Sequence, residues 1–170
     1  ASRPWRTIQE VFDAGLVESQ QWEKLPYSPQ SKLVAKNAGA PVRAGDTIRL
    51  RSGFHGDLLI DGYYNLGHIT LAAEEGHTPR LSSLHIRSSS HWTIRGLAVS
   101  AEFSQTYKRH TLVHLESHDW RGPIHDIVVE QCALCSVADA SAWTAGDWDR
   151  LSCNGFQVDG TRMTIRDNRL

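Results

Sequence analysis

Lys108, Arg109, His110, His114 and Glu116 stand in one short stretch and carry the side-chain types that proton-transfer chemistry needs. Removing a proton alpha to a carboxylate takes a base, an acid for the departing oxygen, and positive charge for the enolate-like intermediate. His114 and Glu116 are two residues apart, so on a strand they share one face, and His118 joins them if the strand continues. The match is one of residue types only, since no fixed-spacing signature accompanies it. A hydrolase would need two carboxylates roughly 5–10 Å apart across a sugar. Glu116 with Asp119, or Asp147 with Asp149, are the pairs on offer. No Gly-x-Ser-x-Gly elbow, phosphate-binding glycine loop or dinucleotide fingerprint is present.

Around this stretch lie groups suited to gripping a polymer. Tyr107 to His110 and His118-Asp-Trp120 combine basic, imidazole and carboxylate groups with an aromatic ring. The segment Ser136 to Ser152 holds Trp143, Trp148, Asp139, Asp147, Asp149 and Arg150. Indole faces suit the apolar face of a sugar ring, and carboxylates hold hydroxyls, so these segments read as a glycan-binding wall. The plainer alternative is that the tryptophans close over the edge of the core. Cys132-x-x-Cys135 has the spacing of half a zinc knuckle, but only Cys153 remains and no second pair follows. Small buried hydrophobes are the reading preferred for them.

These side chains must be positioned by a recurring unit. GDLLIDGYYNLGHITL and SSLHIRSSSHWTI, between Gly56 and Ile94, each give a short apolar strand, a polar corner and a second apolar strand. NGFQVDGTRMTIRDN, from Asn154 to Asn168, repeats it. Alignment puts Ile60, Ile86, Leu115 and Val158 in one column, and Ile69, Ile94, Ile127 and Ile165 in another. Such recurrence predicts an all-β fold, a right-handed parallel β-helix of about four to five coils, stacked roughly 4.8 Å apart. Flanking the first column, Leu59, His85, His114 and Gln157 face outward on one side. Asp61, Arg87, Glu116 and Asp159 do so on the other, with Asp61–Arg87–Glu116 alternating in sign. Beyond the second column come Arg49, Thr70, Arg95, Val128 and Arg166, whose arginines suit an acidic polymer. Weak surface ion pairs are the blander account of both stripes.

Upstream, Thr7-Ile-Gln-Glu10 has capping-box form, and Ile8, Val11 and Phe12 make one apolar helix face that Gly15 ends. This helix is expected to plug the first coil. Residues 16–41 read as irregular, with Pro26, Pro29 and Pro41 breaking any element. The division is thus 1–45, capping helix and lead-in, and 46–170, the coils. At 170 residues and a net charge of −1, one domain is expected, and bulk positive charge for nucleic-acid binding is lacking. No apolar run reaches the ~18 residues a membrane span needs. The chain opens ASRPWRTIQ, which is not a signal peptide.

Pro4-Trp-Arg-Thr-Ile-Gln-Glu-Val-Phe-Asp-Ala14 and Ala44-Gly-Asp-Thr-Ile-Arg-Leu-Arg-Ser-Gly53 resemble the opening of secreted right-handed parallel β-helix proteins of the pectate lyase-like and alginate lyase-like kind. The resemblance implies a secreted or cell-surface polysaccharide lyase acting on an acidic glycan by β-elimination. It implies Lys or Arg as base and Ca²⁺ neutralising the substrate carboxylate. Lys108, Arg109, His114 and Glu116 are the candidate catalytic residues. His85, Arg87, His110, His118, Trp120, Trp143, Trp148 and Arg150 are the candidate substrate contacts. No calcium loop of the Asp-x-Asp-x-Asp-Gly kind is present. A glycoside hydrolase, a C5-epimerase, and a non-catalytic tailspike- or adhesin-like module are the alternatives on the same architecture. The strand that usually precedes the helix phrase is missing, and Asp167-Asn-Arg-Leu170 falls inside a coil. The expectation is therefore a fold incomplete at its C-terminus, continued by further coils or by another chain.

Overall fold

The computed structural model describes residues 5–170, so Pro4, which opens the resembling phrase, lies outside the described residues. A first helix, α1 (Gln9–Asp13), leads into β1 (Ser19–Trp22), β2 (Leu33–Lys36), β3 (Thr47–Leu50), β4 (Gly53–Phe54), β5 (Asp57–Asp61) and β6 (Tyr64–Ala73). Then come β7 (Pro79–Leu81), β8 (Ser83–Arg87), β9 (Ser90–Arg95), β10 (Ala98–Ser100), β11 (Thr111–Glu116), β12 (His125–Glu130) and β13 (Ala133–Cys135). Helix α2 (Ala145–Leu151), β14 (Asn154–Asp159) and β15 (Thr161–Arg166) complete the order. None of these helices is long and apolar enough to cross a membrane.

The strands form three sheets. Two are four-stranded and parallel, ordered β13-β10-β7-β4 and β14-β11-β8-β5. The third is seven-stranded and mixed, ordered β15-β12-β9-β6-β1-β2 with β3 also on β6. The expectation of an all-β, right-handed parallel β-helix with one capping helix is corrected accordingly. Residues 16–41 are not irregular: β1 and β2 pair antiparallel, Ser19 with Lys36 and Trp22 with Leu33, and β1 joins β6 antiparallel at Gln20–Tyr64. Pro26 and Pro29 fall in the connection between β1 and β2, where no ladder hydrogen bond is needed. Lys36 fastens this hairpin down, donating to the carbonyls of Asp61 (3.0 Å) and Gly62 (2.9 Å) with its ammonium over the Tyr63 ring. Burial pulls its pKa down to about 8, against the opposing pull of Asp61. A second helix also stands where a loop was expected: Thr144 Oγ1 accepts from the Asp147 N–H, and Asp147 Oδ2 accepts from the Thr144 N–H.

Strand alternation places the core. In β8, Leu84 and Ile86 point inward while Ser83, His85 and Arg87 point out, and in β11 Val113 and Leu115 do the same against His114 and Glu116. Ile60, Ile86, Leu115 and Val158 pair rung on rung, as their column requires. The second column is out by two residues. Ile94 pairs with Leu71 and Val129, and Val129 with Ile165, whereas Ile69 and Ile127 flank Trp92. Helix α1 starts from Ile8 and not from the Thr7 of its capping phrase, and Ile8 and, within the helix, Phe12 are buried. The Phe12 ring sits edge-on to Tyr63 at 5.3 Å and 5.6 Å from Trp92, and the Gln9 side chain accepts from the Leu59 N–H.

Most charges of the outward stripes are paired within the protein. Arg87 makes a two-pronged contact with Asp61 (2.8 and 3.2 Å), and Arg121 reaches the same carboxylate. Glu116 is left to His85, which breaks the expected alternation of sign. Arg95 and Arg166 both clamp Glu130, which is 4% exposed, so neither is an idle cation awaiting a polymer.

The stacked column should dominate stability. Ile86→Ala is expected to cost about 2–5 kcal/mol in urea unfolding. Arg87→Ala, which trims a half-exposed ion pair, is expected to cost about 1 kcal/mol or less. Equal losses for the two would remove the column from the core.

Candidate functional site

The outer face of β5, β8 and β11 carries the first cluster. His85 and His114 are cross-strand partners in register, and their rings stack 4.6 Å apart at 12°. His85 also reaches diagonally to Glu116, Nε2 to Oε2 at 2.7 Å. An ionised carboxylate only accepts, so the proton is on Nε2 and the free lone pair is on Nδ1. Burial lowers the His85 pKa. The hydrogen bond that His85 donates to Glu116 works against that, while the neighbouring His114 and Arg87 lower it further. Among the described residues neither ring nitrogen of His114 makes a hydrogen bond, so the imidazole is free for a ligand.

The strap that leads into β11 closes over this face. From the strap Lys108, Arg109 and His110, with Ser104 and Thr106, line an open cavity of about 470 Å³ together with Asp57, Ser83, His85, Thr111 and His114 of the sheet face. His110 pins the strap: Nδ1 contacts the Lys108 carbonyl at 2.7 Å and Nε2 the Ser82 carbonyl at 3.0 Å. Arg109 donates to the Asp149 carbonyl at 2.9 Å, which ties the strap to α2. Tyr107 is anchored to the Leu151 carbonyl, and burial raises its pKa to about 12.

Lys108, Arg109, His110, His85 and His114 thus share one cavity, and Glu116 stands behind His85. The other expected contacts lie elsewhere. Arg87 is held by Asp61. Trp143 and Trp148 pack edge-on to each other and line an apolar cleft with Leu112, Leu134, Cys135 and Cys153. Arg150 is spent on the Gly146 carbonyl and on Asp147. His118 and Trp120 are on the turn after β11, whose Trp120 carbonyl accepts from Tyr27 near the hairpin. Gly122 in that turn is at φ +105°, and a Cβ there would collide with Trp22 and Tyr64. The expected glycan wall from residues 118–125 and 136–153 is therefore not part of this cavity. The cysteines are free: Cys132 is buried, Cys135 is exposed and Cys153 is half-buried.

Calcium does not fit these residues. Asp57 Oδ1 already accepts from the hydroxyls of Ser82 (2.6 Å) and Ser83 (2.8 Å), and Glu116 holds His85. The rest of the lining is chiefly imidazole, ammonium, guanidinium and hydroxyl, and two partly engaged carboxylates fall short of the six to eight oxygens Ca²⁺ takes.

A second cluster, on the mixed sheet, went unmarked in the sequence. His91 of β9 and Asp126 of β12 are opposite one another, beside His125, and Arg162 of β15 follows in the same column. All of His91 (φ 58°), Asp126 (φ 56°) and Arg162 (φ 53°) are left-handed, a conformation costing about 1–2 kcal/mol for a residue with a Cβ. Arg162 makes a fork to Asp126 with both contacts at 2.7 Å, and this pair above all holds the Asp126 carboxyl well below the usual carboxylate range. The signal was recoverable. With Ile94 set against Val129 instead of Ile127, His91 and Asp126 align.

Comparison with protein-family models, with curated proteins and with solved structures gives no match, so the resemblance drawn from the opening phrases rests on those residues alone.

The titration of His85 tests the first cluster. Glu116→Gln removes the group that favours the imidazolium and should lower the His85 pKa further, while His114→Ala should raise it, both read by NMR of the ring nitrogens. Because the folded pKa lies below the unfolded value of about 6.5, the stability His85 contributes is complete above that pH and is lost as pH falls. Movement of the pKa in the opposite sense in either variant would refute the contact.

Proposed function

We propose that the protein is a polysaccharide lyase that cleaves an acidic, uronate-containing glycan by β-elimination, working outside the cell or on its surface. The observation that carries this reading is that Lys108 and Arg109 line one open cavity with His85 and His114, with Glu116 hydrogen-bonded to His85 behind them. Lys108 and Arg109 would hold the uronate carboxylate and balance the charge that grows on it as the alpha C–H bond breaks. His114, whose ring nitrogens make no hydrogen bond among the described residues, would take that proton. The electron pair left behind forms the new double bond and expels the glycosidic oxygen at the beta carbon. That oxygen leaves as an alcohol, taking its proton from the Lys108 ammonium or from the newly protonated His114. Glu116 acts through His85, fixing its tautomer and keeping its ring against His114. Burial keeps His85 neutral near pH 7, so it adds no repulsion to a proton arriving next door. No step is routed through a metal.

The test is a panel of uronate polymers read by the ultraviolet absorbance of unsaturated products. His114→Ala and Lys108→Ala should each lower turnover by about 10²–10⁴ with the fold retained, since Lys108 is exposed and His114 lies half-buried on the outer face of its strand. Full turnover in both variants would exclude the assignment. Binding of an acidic glycan with no unsaturated product would leave a non-catalytic module, and inversion at the uronate without cleavage would leave a C5-epimerase.

A further inference from the structure

The cluster on the mixed sheet is independent of that cavity, and its geometry points to a different role. We infer that His91, His125 and Asp126 form a binding site for a divalent transition-metal ion of the zinc class. Two imidazoles and one carboxylate are the donors that zinc and its neighbours take, whereas calcium takes oxygens. The candidate ligand atoms all lie within 4.8 Å of one another. Tetrahedral zinc sets its ligand atoms roughly 3.3 Å apart. Here Asp126 Oδ2 stands 2.7 Å from His125 Nδ1 and 3.7 Å from His91 Nε2, values that bracket that spacing.

Ring orientation separates this cluster from the other. His85 and His114 are stacked face to face, so their lone pairs run side by side. His91 and His125 are 5.8 Å apart at 87°, so both can turn a nitrogen edge toward one point. The hydrogen bonding without a metal is also unresolved. His125 Nδ1 faces the Asp126 carboxylate at 2.7 Å and the Arg162 Nη2 donor at 3.2 Å, and one nitrogen cannot donate to the first while accepting from the second. A metal at that point removes the conflict, because the neutral imidazole and the carboxylate both give it a lone pair. A cation is already favoured there, since Arg162 occupies it with a side chain 64% exposed and free to swing away. Its Nε contact to Oδ1 can persist while Oδ2 turns to the metal. Ser90 Oγ, 3.2 Å from His91 Nδ1, steadies that ring, and Arg162 Nε holds Asp126 Oδ1, so His91 and Asp126 have the outer partners that metal ligands use. At 31%, 26% and 22% exposure the three side chains are open to solvent on one side, leaving the fourth position to water.

The experiment is zinc titration of the full chain without a histidine tag, by equilibrium dialysis, with the visible spectrum of Co²⁺ as a report on coordination. One equivalent should bind, with a tetrahedral cobalt band and a raised melting temperature. Asp126→Asn and His91→Asn should each weaken binding by more than about tenfold, and asparagine tolerates the left-handed backbone at both positions. Their metal-free melts check that the fold persists. His114→Ala should leave zinc binding unchanged. Zinc binding that survives both substitutions on the mixed sheet, or that is lost with His114 instead, would overturn the site.

Discussion

In-register stacking of apolar side chains from strands three elements apart is the constraint on which everything else in this protein rests. Ile60, Ile86 and Leu115 are wholly buried and lie directly over one another. Once that column is set, alternation along each strand leaves no choice for the neighbours: His85 must stand over His114, and Arg87 over Glu116. The cross-strand spacing of about 5 Å is what lets an imidazole reach a carboxylate one level away. The candidate chemistry is thus a by-product of core packing, with each polar partner delivered by a buried neighbour.

Long excursions between levels do the rest. The strap before β11 carries Lys108 and Arg109 over the stacked rings, and it stays there because His110 is tied to the Ser82 carbonyl and Arg109 to the far excursion bearing α2. A sheet face alone would offer a flat surface. The strap turns it into a cavity with positive charge on one wall and imidazole on the other.

Much of this was legible in the chain. The first column could be read because β5 and β8 alternate cleanly, and a slip of one residue would turn Leu58, Ile60, Leu84 and Ile86 to solvent. The second column was read wrongly for the complementary reason. A slip of two residues keeps every side chain on its face, so Ile127 looked as good a partner for Ile94 as Val129. The true register is marked by left-handed residues at His91, Asp126 and Arg162, which interrupt the alternation, and none of these is glycine. The hairpin of β1 and β2 had no apolar signature, since Gln20 and Gln21 fill its first strand and prolines follow. Its reason for forming is tertiary: β6 is long enough to leave Tyr64 free for β1, and Lys36 finds two carbonyls at the next corner. Charges on the outer face were placed correctly by strand, but their partners depended on reach. Asp61 takes two arginines, and Glu116 turns to a histidine.

Glu130 shows what such sharing implies for motion. It sits between arginines from the strands on either side, and each guanidinium alone would neutralise it. If β15 peels away from the edge of its sheet, Arg166 departs but Arg95 keeps its hold, so the covered carboxylate is never stranded without a counter-charge. Opening of β15 thus costs Glu130 the two hydrogen bonds from Arg166 but leaves it the counter-charge of Arg95. Local opening at this edge would stay local, as a loose thread that does not unravel the cloth.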